Sequence, residues 1–415
     1  MPKYWKTICL PTMPALCATN NVNRLAAPAE APLYLDFAAS TPPAEEVVEA
    51  MIPWLRGAHA NPHSDHWHGR RAALAVEVAR EAVASLVGGQ PDGVVFTSGA
   101  TEANNLALKG MLSPSGHRRN LWLAETEHKS ILEPARFLAA NGIAVQRLPV
   151  LSTGVIETDM LQARLRESER TPGIVAVSHG NNEIGTLQSL TALAEVAHSF
   201  GHLLHVDASQ SAGRVPIHME DDGCDLLCLS SHKMYGPAGI GALYVIPELL
   251  GELQPLLHGG GQEGGRRSGT VPTFLAVGFG EAALLAKRRL VEDQRRSVQV
   301  VEEFLRALRQ DGSPFTLIGH PHQRLPGHLS LRFEGVDAED MLTLLAPSLS
   351  VSTGAACAAG ELRASHVLRA VGLDEGAAGE VVRLTFGRQT TPEQANCAAR
   401  LVAAARDRIL ERGSR

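Results

Sequence analysis

Residues 203–245 read LLHVDASQSAGRVPIHMEDDGCDLLCLSSHKMYGPAGIGALYV, and three polar side chains in this stretch stand beside two apolar runs. The runs LLHVD and DLLCLS are typical of neighbouring buried strands. Asp207 ends the first run, Gln210 follows three residues later, and Lys233 comes just after the second run. A carboxylate, an amide and a lysine in this arrangement are the groups that a pyridoxal phosphate site requires.

Each of these side chains has a chemical reason to be there. Pyridoxal phosphate withdraws electrons only while its ring nitrogen is protonated, so a carboxylate such as Asp207 must lie against that nitrogen. Gln210 lies within reach of the phenolic oxygen of the ring, and Lys233 would hold the cofactor covalently through its neutral amine. Taken singly, a strand-end aspartate is usually a helix cap, and a lysine before Tyr-Gly-Pro is usually a solvated loop residue.

A separate segment predicts a site for the phosphate of the cofactor. Residues 94–97 (VVFT) predict a strand, Ser98 to Ala100 predict a tight turn, and a helix is predicted from Thr101 onward. Unpaired amides and the positive dipole end at a helix start favour an anion. Strand, turn and helix are common in α/β proteins, so this signal is weak alone. Ser230 and His232 beside the lysine are further candidates for binding phosphate oxygens.

Two more polar residues leave alternatives open. His128 lies between LWLAE and a helix start. It is either a polar loop histidine or an imidazole that stacks on the cofactor ring and transfers protons. Asn182, in HGNNEIGT, is either a turn residue or a donor to the phenolic oxygen or to a substrate carboxylate.

Taken together, the motifs resemble one known family, the cysteine desulfurases of the class V aminotransferase group. The motifs that carry the resemblance are HVDASQ, SSHKMYGPAGIGALYV, TSGATEANN, TEHKSIL, NNEIG, GGGQEGGRRSGT, and STGAAC followed by SHVLRAVGL. The similarity runs from about Tyr34 to near the C-terminus. Several linked motifs are far less common by chance than any one of them.

The resemblance implies a role for each candidate residue. The cofactor-binding set that it implies is Lys233, Asp207, Gln210, Ala100, Thr101, Ser230, His232, Thr270, His128 and Asn182. Within this set, Thr270 would reach the phosphate of a second subunit, so the active site would lie at the interface of a homodimer. Asn182 and Arg383, the latter in VVRLTFGR, would hold the substrate carboxylate, for which a guanidinium fork is well suited.

Cys357 is the residue on which the implied reaction depends. It lies in SLSVSTGAACAAG (348–360), a run too rich in Gly and Ala to pack as a core strand, so we predict a mobile loop. A small buried cysteine is the alternative. The resemblance implies a nucleophilic thiolate that takes the substrate sulfur as a persulfide. The uninterrupted sequence around Cys357 resembles the group of desulfurases with a long swinging cysteine loop.

The implied activity converts L-cysteine to L-alanine, with Lys233 and His128 handling protons and Cys357 keeping the sulfur. A persulfide on a swinging loop implies a sulfur-acceptor protein as partner, such as an iron-sulfur scaffold. Ala355 stands where the family often has serine, and in this position the chain resembles selenocysteine lyases. A selenocysteine lyase or another pyridoxal phosphate-dependent lyase is therefore the alternative function.

The alternation of apolar strands and helices predicts an α/β fold. Seven strand-like runs predict a mostly parallel seven-stranded sheet covered by helices on both faces. The resemblance implies pyridoxal phosphate fold type I, with a smaller α+β domain. We expect a disordered N-terminal extension over 1–32, a large cofactor-binding domain over 46–290, and a small domain built from 33–45 and 291–415 that carries the cysteine loop.

Composition excludes several classes of function. The net charge of -6 gives no support for direct nucleic-acid binding, and we find no apolar run long enough for a membrane helix. Six scattered cysteines suit a reducing cytosol, so we expect a cytoplasmic protein. Cys224 and Cys228 in CDLLC, and the four histidines within 59–68, raise the question of a metal. Packed thiols and surface histidines are the favoured interpretation, so no metal site is expected.

Overall fold

The computed structural model describes residues 31–113, 115–167, 171–353 and 365–413. The extension predicted over 1–32, except for its last two residues, and the predicted loop residue Cys357 lie outside these ranges. The helices are α1 (Glu45–Arg56), α2 (Trp67–Leu86), α3 (Ala100–Met111), α4 (Lys129–Ala140), α5 (Thr158–Glu167), α6 (Leu190–Ser199), α7 (Thr273–Gln310), α8 (Ala338–Leu345), α9 (His366–Ala370), α10 (Glu375–Ala378) and α11 (Pro392–Gly413). The strands are β1 (Leu33–Tyr34), β2 (Val94–Thr97), β3 (Asn120–Ala124), β4 (Ala144–Leu148), β5 (Gly173–Ser178), β6 (Leu203–Asp207), β7 (Leu226–Ser230), β8 (Gly241–Val245), β9 (Thr316–Leu317), β10 (His328–Arg332), β11 (Leu349–Ser350) and β12 (Val381–Thr385).

Seven strands form one large sheet in the order β2-β8-β7-β6-β5-β3-β4. Strand β8 runs antiparallel to both of its neighbours, and the other pairs are parallel. The predicted mostly parallel seven-stranded sheet is therefore confirmed. The predicted run LLHVD coincides with β6, and the run DLLCLS differs from β7 by one residue.

Alternate residues of the large sheet pack into two different hydrophobic cores. On β7, for example, Leu227 and Leu229 belong to one core and Leu226 and Cys228 to the other. Helices α2 and α7 supply buried side chains to the first core, and α3 and α4 supply them to the second. This is the helix–sheet–helix arrangement that both-face burial of a parallel sheet requires, as the sequence predicts.

A second, smaller sheet has the order β12-β10-β9 and is antiparallel. Its core includes Leu329, Val382 and Leu384, together with residues of α8, α11 and the second half of α7. The first half of α7 packs against the large sheet instead, so this helix connects the two cores. The predicted domain boundary at residue 290 falls inside α7, and the predicted domain limits stay a prediction.

The polar residues singled out in the sequence follow the carboxyl ends of the parallel strands. Thr101 follows β2, His128 follows β3, Asn182 follows β5, Asp207 ends β6 and Lys233 follows β7. In open α/β sheets ligands bind at this edge, because the loops there converge and helices begin there. No helix within the described ranges combines the length and apolar character needed to cross a bilayer.

Candidate active site

Asp207 is held in place by two neutral donors. Its side chain is buried at the end of β6, with 6% of the residue exposed. Asn104 of α3 donates its side-chain amide to Asp207 Oδ2 at 2.7 Å, and the Ser209 backbone amide donates to Oδ1 at 2.9 Å. The Asn104 bond ties the start of α3 to the end of β6. Carboxylate oxygens accept more than one bond each, so Asp207 can also receive a ring N–H.

Lys233 and Gln210 converge on one segment of backbone. Lys233 lies in a short 3-10 turn after β7, and its ammonium donates to the carbonyls of Ala38 at 2.5 Å and Ala39 at 2.7 Å. Gln210 Nε2 donates to the same Ala38 carbonyl at 2.8 Å. The predicted lysine and glutamine therefore both bind the carbonyl oxygen of Ala38.

The predicted phosphate site begins with the turn between β2 and α3. Gly99 is the residue before α3, with φ 151°, and a side chain added there would meet nothing within 4 Å. The first amides of α3, at Ala100 and Thr101, have no partner within the helix because of their position in it. An anion in the open space before the helix would therefore meet unpaired donors and the positive end of the dipole.

Ser230 lies close to this turn, and His232 follows Ser230 by two residues. Ser230 pairs with Gly241 of β8, and a side chain added at Gly241 would collide with the backbone of Gly99. The Ser230 hydroxyl is buried and has no hydrogen-bond partner among the described residues. His232 Nδ1 lies 3.1 Å from the hydroxyl of Ser40. Burial, and then the charge of the neighbouring Lys233, lowers the pKa of His232 to about 4, so this imidazole is neutral at pH 7.

These features test whether the residues fit a phosphorylated pyridine cofactor. The orphaned hydroxyl of Ser230 and the open space before α3 both fit a phosphate. The carboxylate of Asp207 fits a protonated ring nitrogen, and the half-buried Lys233 fits a covalent attachment. The residues present therefore fit pyridoxal phosphate.

His128 lines an open cleft beside this site. The cleft has a volume of about 440 Å³, and Thr101 and Ser130 also line it. His128 is the residue before α4, and its Nδ1 accepts the backbone amide of Ser130 at 3.1 Å. The imidazole thus caps the helix through Nδ1, which fixes its position in the cleft.

Arg383 contacts the backbone of Asn182, the other residue that the resemblance assigns to the substrate carboxylate. One terminal nitrogen of Arg383 donates to the carbonyl oxygen of Asn182 at 2.9 Å, and the other donates to Asp36 at 2.7 Å. Arg383 is 3% exposed, and its Nε has no partner among the described residues. The pKa of His328, which contacts the same Asn182 carbonyl, is held well below its usual value by burial and then by nearby arginines. Arg324, Arg383 and Arg214 are the charges that act on His328, and Asp36 is the carboxylate paired with Arg383 itself.

Thr270 lies in a loop that is firmly anchored. Arg80 makes a buried bidentate ion pair with Glu263 of this loop, and Glu263 also accepts the amide of Phe96. Arg267 pairs with Glu102 in the first turn of α3 at 2.8 Å. The glycine-rich segment is thus attached to the protein beside the phosphate turn, whereas its composition alone suggests a flexible surface loop. Thr270 itself is exposed.

Two buried carboxylic acids near the site were not found from the sequence. Glu127, which precedes His128, is bound by the amide and hydroxyl of Ser178, and burial raises its pKa to about 8 despite these bonds. Glu183, which follows Asn182, accepts the hydroxyl of Ser365, and burial raises its pKa to about 7. In the motifs TEHKSIL and NNEIG, each acid stands next to a candidate residue, and this position was the signal that could have identified it. Only the fold shows that both acids are buried.

Described residues on either side of the Cys357 segment contact the site. Ser352 exchanges backbone hydrogen bonds with Arg383 at 3.2 and 2.7 Å. On the other side, Ser365 binds Glu183, and His366 Nε2 lies 2.9 Å from the Glu127 carbonyl. Cys357 itself lies outside the described residues, so its predicted role is not tested by these contacts.

The remaining cysteine pair is buried. Cys224 and Cys228 are 3% and 0% exposed, and burial raises the pKa of both thiols. Within the described ranges, no three His, Cys, Asp or Glu side chains come together in a group that could hold a metal ion.

Comparison with known proteins identifies the family of the chain. The pattern of the family described as Aminotransferase class-V matches residues 33–396, and the chain belongs to this family. Its architecture is pyridoxal phosphate fold type I, as predicted. Within the family the chain is similar to cysteine desulfurases, so the family predicted from the motifs is confirmed.

Three proteins illustrate the similarity. The cysteine desulfurase IscS of Rickettsia bellii is 39% identical over 373 residues, which cover 89% of this chain and 90% of that protein. A NifS-like protein of known structure matches with a TM-score of 0.83 at 30% identity, covering 90% of this chain and 98% of that chain. SspA, solved in complex with cysteine, matches with a TM-score of 0.76 at 34% identity, covering 86% and 99%.

Proposed function

We propose that this protein is a pyridoxal phosphate-dependent cysteine desulfurase that converts L-cysteine to L-alanine and transfers the sulfur to Cys357. The observation that carries the proposal is the convergence of Asp207, Lys233 and the start of α3 at one edge of the sheet. Asn104 joins the helix to Asp207, and Lys233 and Gln210 share the Ala38 carbonyl. Similarity to cysteine desulfurases over about nine tenths of the chain supports the substrate.

The cofactor would be held by the residues that the sequence predicts. Lys233 would bind it covalently, Asp207 would pair with the ring nitrogen, and Gln210 and Asn182 would lie toward the phenolic oxygen. The start of α3 at Ala100 and Thr101, with Ser230 and His232, would bind the phosphate, and Thr270 would do so from a second subunit. Bound there, the cofactor supplies an electron sink that stabilises negative charge on the substrate carbon next to the amine.

The protein side chains would orient the substrate and move protons. Arg383 would bind the substrate carboxylate, and its buried Nε, which has no partner among the described residues, supports this assignment. The amine of Lys233 would exchange protons with the substrate carbon, and His128 would face the cofactor ring from the cleft. The Cys357 thiolate would attack the substrate sulfur and retain it as a persulfide, while the carbon skeleton leaves as alanine.

The remaining parts of the proposal concern assembly and location. We propose a homodimer, because Thr270 is exposed on a loop that two ion pairs hold in place beside α3. We propose that the persulfide is delivered to an acceptor protein, with an iron-sulfur scaffold as one such acceptor. The scattered cysteines support a location in the cytoplasm.

The cofactor assignment is tested by borohydride reduction of the purified protein. The chain has six lysines, at positions 3, 6, 109, 129, 233 and 287, so peptide mapping discriminates sharply between them. We expect a yellow protein whose visible absorption is bleached and whose cofactor mass is fixed on Lys233. A fully populated adduct on another lysine would refute the assignment. Lys287→Ala, in α7, is a matched control and is expected to retain the adduct on Lys233.

The substrate is tested by product analysis with L-cysteine and with selenocysteine. A desulfurase releases alanine from cysteine and depends on Cys357 to accept the sulfur. Selenium leaves more easily, so Cys357→Ala is expected to lose cysteine turnover and to retain more turnover with selenocysteine. A wild-type protein that turns over selenocysteine and ignores cysteine would favour the selenocysteine lyase alternative.

A further inference from the structure

The hydrogen bonds of His128 define which of its ring nitrogens carries the proton. A backbone N–H can only donate, and the amide of Ser130 donates to His128 Nδ1 at 3.1 Å. The Ser130 hydroxyl lies 2.9 Å from the same nitrogen. Because Nδ1 must be an acceptor for the amide, the neutral imidazole has its hydrogen on Nε2.

A chain of side chains behind Ser130 has the same direction throughout. Asn104 is fully buried and uses its amide nitrogen for two donations, to Ser130 Oγ at 2.9 Å and to Asp207 at 2.7 Å. Since Ser130 Oγ accepts this bond, its own hydrogen is available for His128 Nδ1. The Asn104 carbonyl oxygen lies 2.9 Å from His205 Nε2 and must be the acceptor there.

The first member of this chain is a histidine that keeps its neutral form. His205 is fully buried, and burial lowers its pKa to about 4. Its ring is therefore neutral at pH 7. The carboxylate of Asp207 can only accept, so the Asn104 nitrogen must face Asp207 and the Asn104 oxygen must face His205. The neutral ring of His205 therefore carries its hydrogen on Nε2.

We propose that the chain His205–Asn104–Ser130 locks His128 in the Nε2–H tautomer, which makes it a hydrogen-bond donor toward the bound substrate and not a base. This inference deepens the proposed function and rests on it for the identity of the ligand. Asn104 and Ser130 are positioning residues. Asn104 also connects the two groups that would flank the cofactor ring, because one amide nitrogen binds Asp207 and reaches His128 through Ser130.

The fixed tautomer of His128 gives His128 and Lys233 different roles. In this tautomer Nε2 carries a hydrogen and offers no lone pair to the substrate, and the lone pair of Nδ1 faces the amide and hydroxyl of Ser130. The proton removed from the substrate carbon is therefore taken by the amine of Lys233. His128 contributes an N–H that stabilises negative charge developing in the cleft.

Neutron diffraction on crystals of the full-length protein in deuterated solvent tests the lock directly, without any activity measurement. We expect deuterium on His128 Nε2, none on Nδ1, and the Ser130 hydroxyl deuterium directed to Nδ1. The nuclear density should also show the Asn104 nitrogen facing Asp207 and Ser130. Deuterium on Nδ1, or a reversed Asn104 amide, would overturn the proposal. This readout is independent of the proposed reaction, which can fail while the tautomer is found as expected.

The division of proton transfer is tested by exchange of the Cα hydrogen of L-alanine in deuterated buffer. His128→Asn retains an acceptor for the Ser130 amide but has no group at the Nε2 position. It is expected to slow the exchange without abolishing it, whereas Lys233→Ala is expected to abolish it. Exchange that persists in Lys233→Ala and disappears in His128→Asn would show that His128 is the base and would overturn the proposal.

Discussion

Replacing Asp207 with asparagine is expected to slow alanine formation by about three orders of magnitude. The substitution keeps the size of the side chain and an acceptor for Asn104, and it removes the negative charge. Asp207 is 6% exposed, so solvent screens its charge poorly. Two opposite charges about 4 Å apart interact by about 4 kcal/mol at an effective dielectric constant of about 20. At about 1.4 kcal/mol for each tenfold change in rate, this corresponds to a factor of about 1000.

The control for this prediction is Asp225→Asn. Asp225 is 8% exposed and precedes β7, at the opposite edge of the same sheet. It accepts the Leu204 amide at 2.7 Å and lies 2.8 Å from His198 Nε2. Its loss is expected to reduce stability by about 2 kcal/mol, as for other hydrogen bonds to charged groups, and to leave turnover near the wild-type rate.

The assay is steady-state alanine release from L-cysteine, measured with saturating pyridoxal phosphate and corrected for bound cofactor by absorbance. We expect Asp207→Asn to bind the cofactor, because the phosphate contacts are unchanged, and to turn over slowly. An Asp207→Asn protein with full cofactor content and a rate within about tenfold of the wild type would refute the proposed orientation of the ring.

Three further predictions follow from the same geometry. Arg383→Lys removes the guanidinium fork and is expected to raise KM for L-cysteine by about 10-fold to 100-fold with a smaller change in kcat, since hydrogen bonds to a charged group are worth about 1.5–3 kcal/mol. An unchanged KM would contradict binding of the substrate by Arg383. Mixed dimers of Lys233→Ala and Thr270→Ala subunits are expected to contain one undamaged site and to regain activity that neither parent has, whereas a fully active monomer would rule out the shared site. In the folded protein the pKa of Glu183 is about 7, above the usual 4.5. The contribution of Glu183 to stability is therefore fully present below about pH 4.5 and is lost as pH rises through about 7. The free energy of unfolding of Glu183→Gln, measured by denaturant titration, is therefore expected to gain on that of the wild type as pH increases from 5 to 8, by on the order of 3 kcal/mol at most. A difference that stays constant with pH would contradict the buried protonated acid.

The large sheet could be predicted because its strands have strong local signals. Runs such as LLHVD and VVFT are apolar, short and bounded by turn residues, so the periodicity and the length agree. The strand β12, which carries Arg383, was quoted only as a motif and not predicted as a strand. Its sequence VVRLT places a charged residue in the middle of a buried strand, and only pairing with β10 and the contact with Asp36 make that placement favourable.

Individual site residues could be predicted by type, and their partners could not. Asn104 lies within the quoted motif TSGATEANN, but nothing local indicates that it bonds to Asp207, 103 positions away in the chain. The same holds for Ala38, whose backbone carbonyl oxygen binds Lys233 and Gln210. Contacts of this kind depend on which strands and loops become neighbours, and that information is in the topology of the sheet.

A single-turnover experiment tests whether the sulfur of L-cysteine is transferred to Cys357. The protein is mixed with less than one equivalent of L-cysteine, quenched with an alkylating agent, and digested for mass spectrometry of all six cysteine peptides. We predict one additional sulfur atom on Cys357 for each alanine formed, with the exposed Cys397 unmodified as the internal control. If alanine forms while the sulfur is released as free sulfide or is found on Cys397, transfer of the sulfur to Cys357 is refuted.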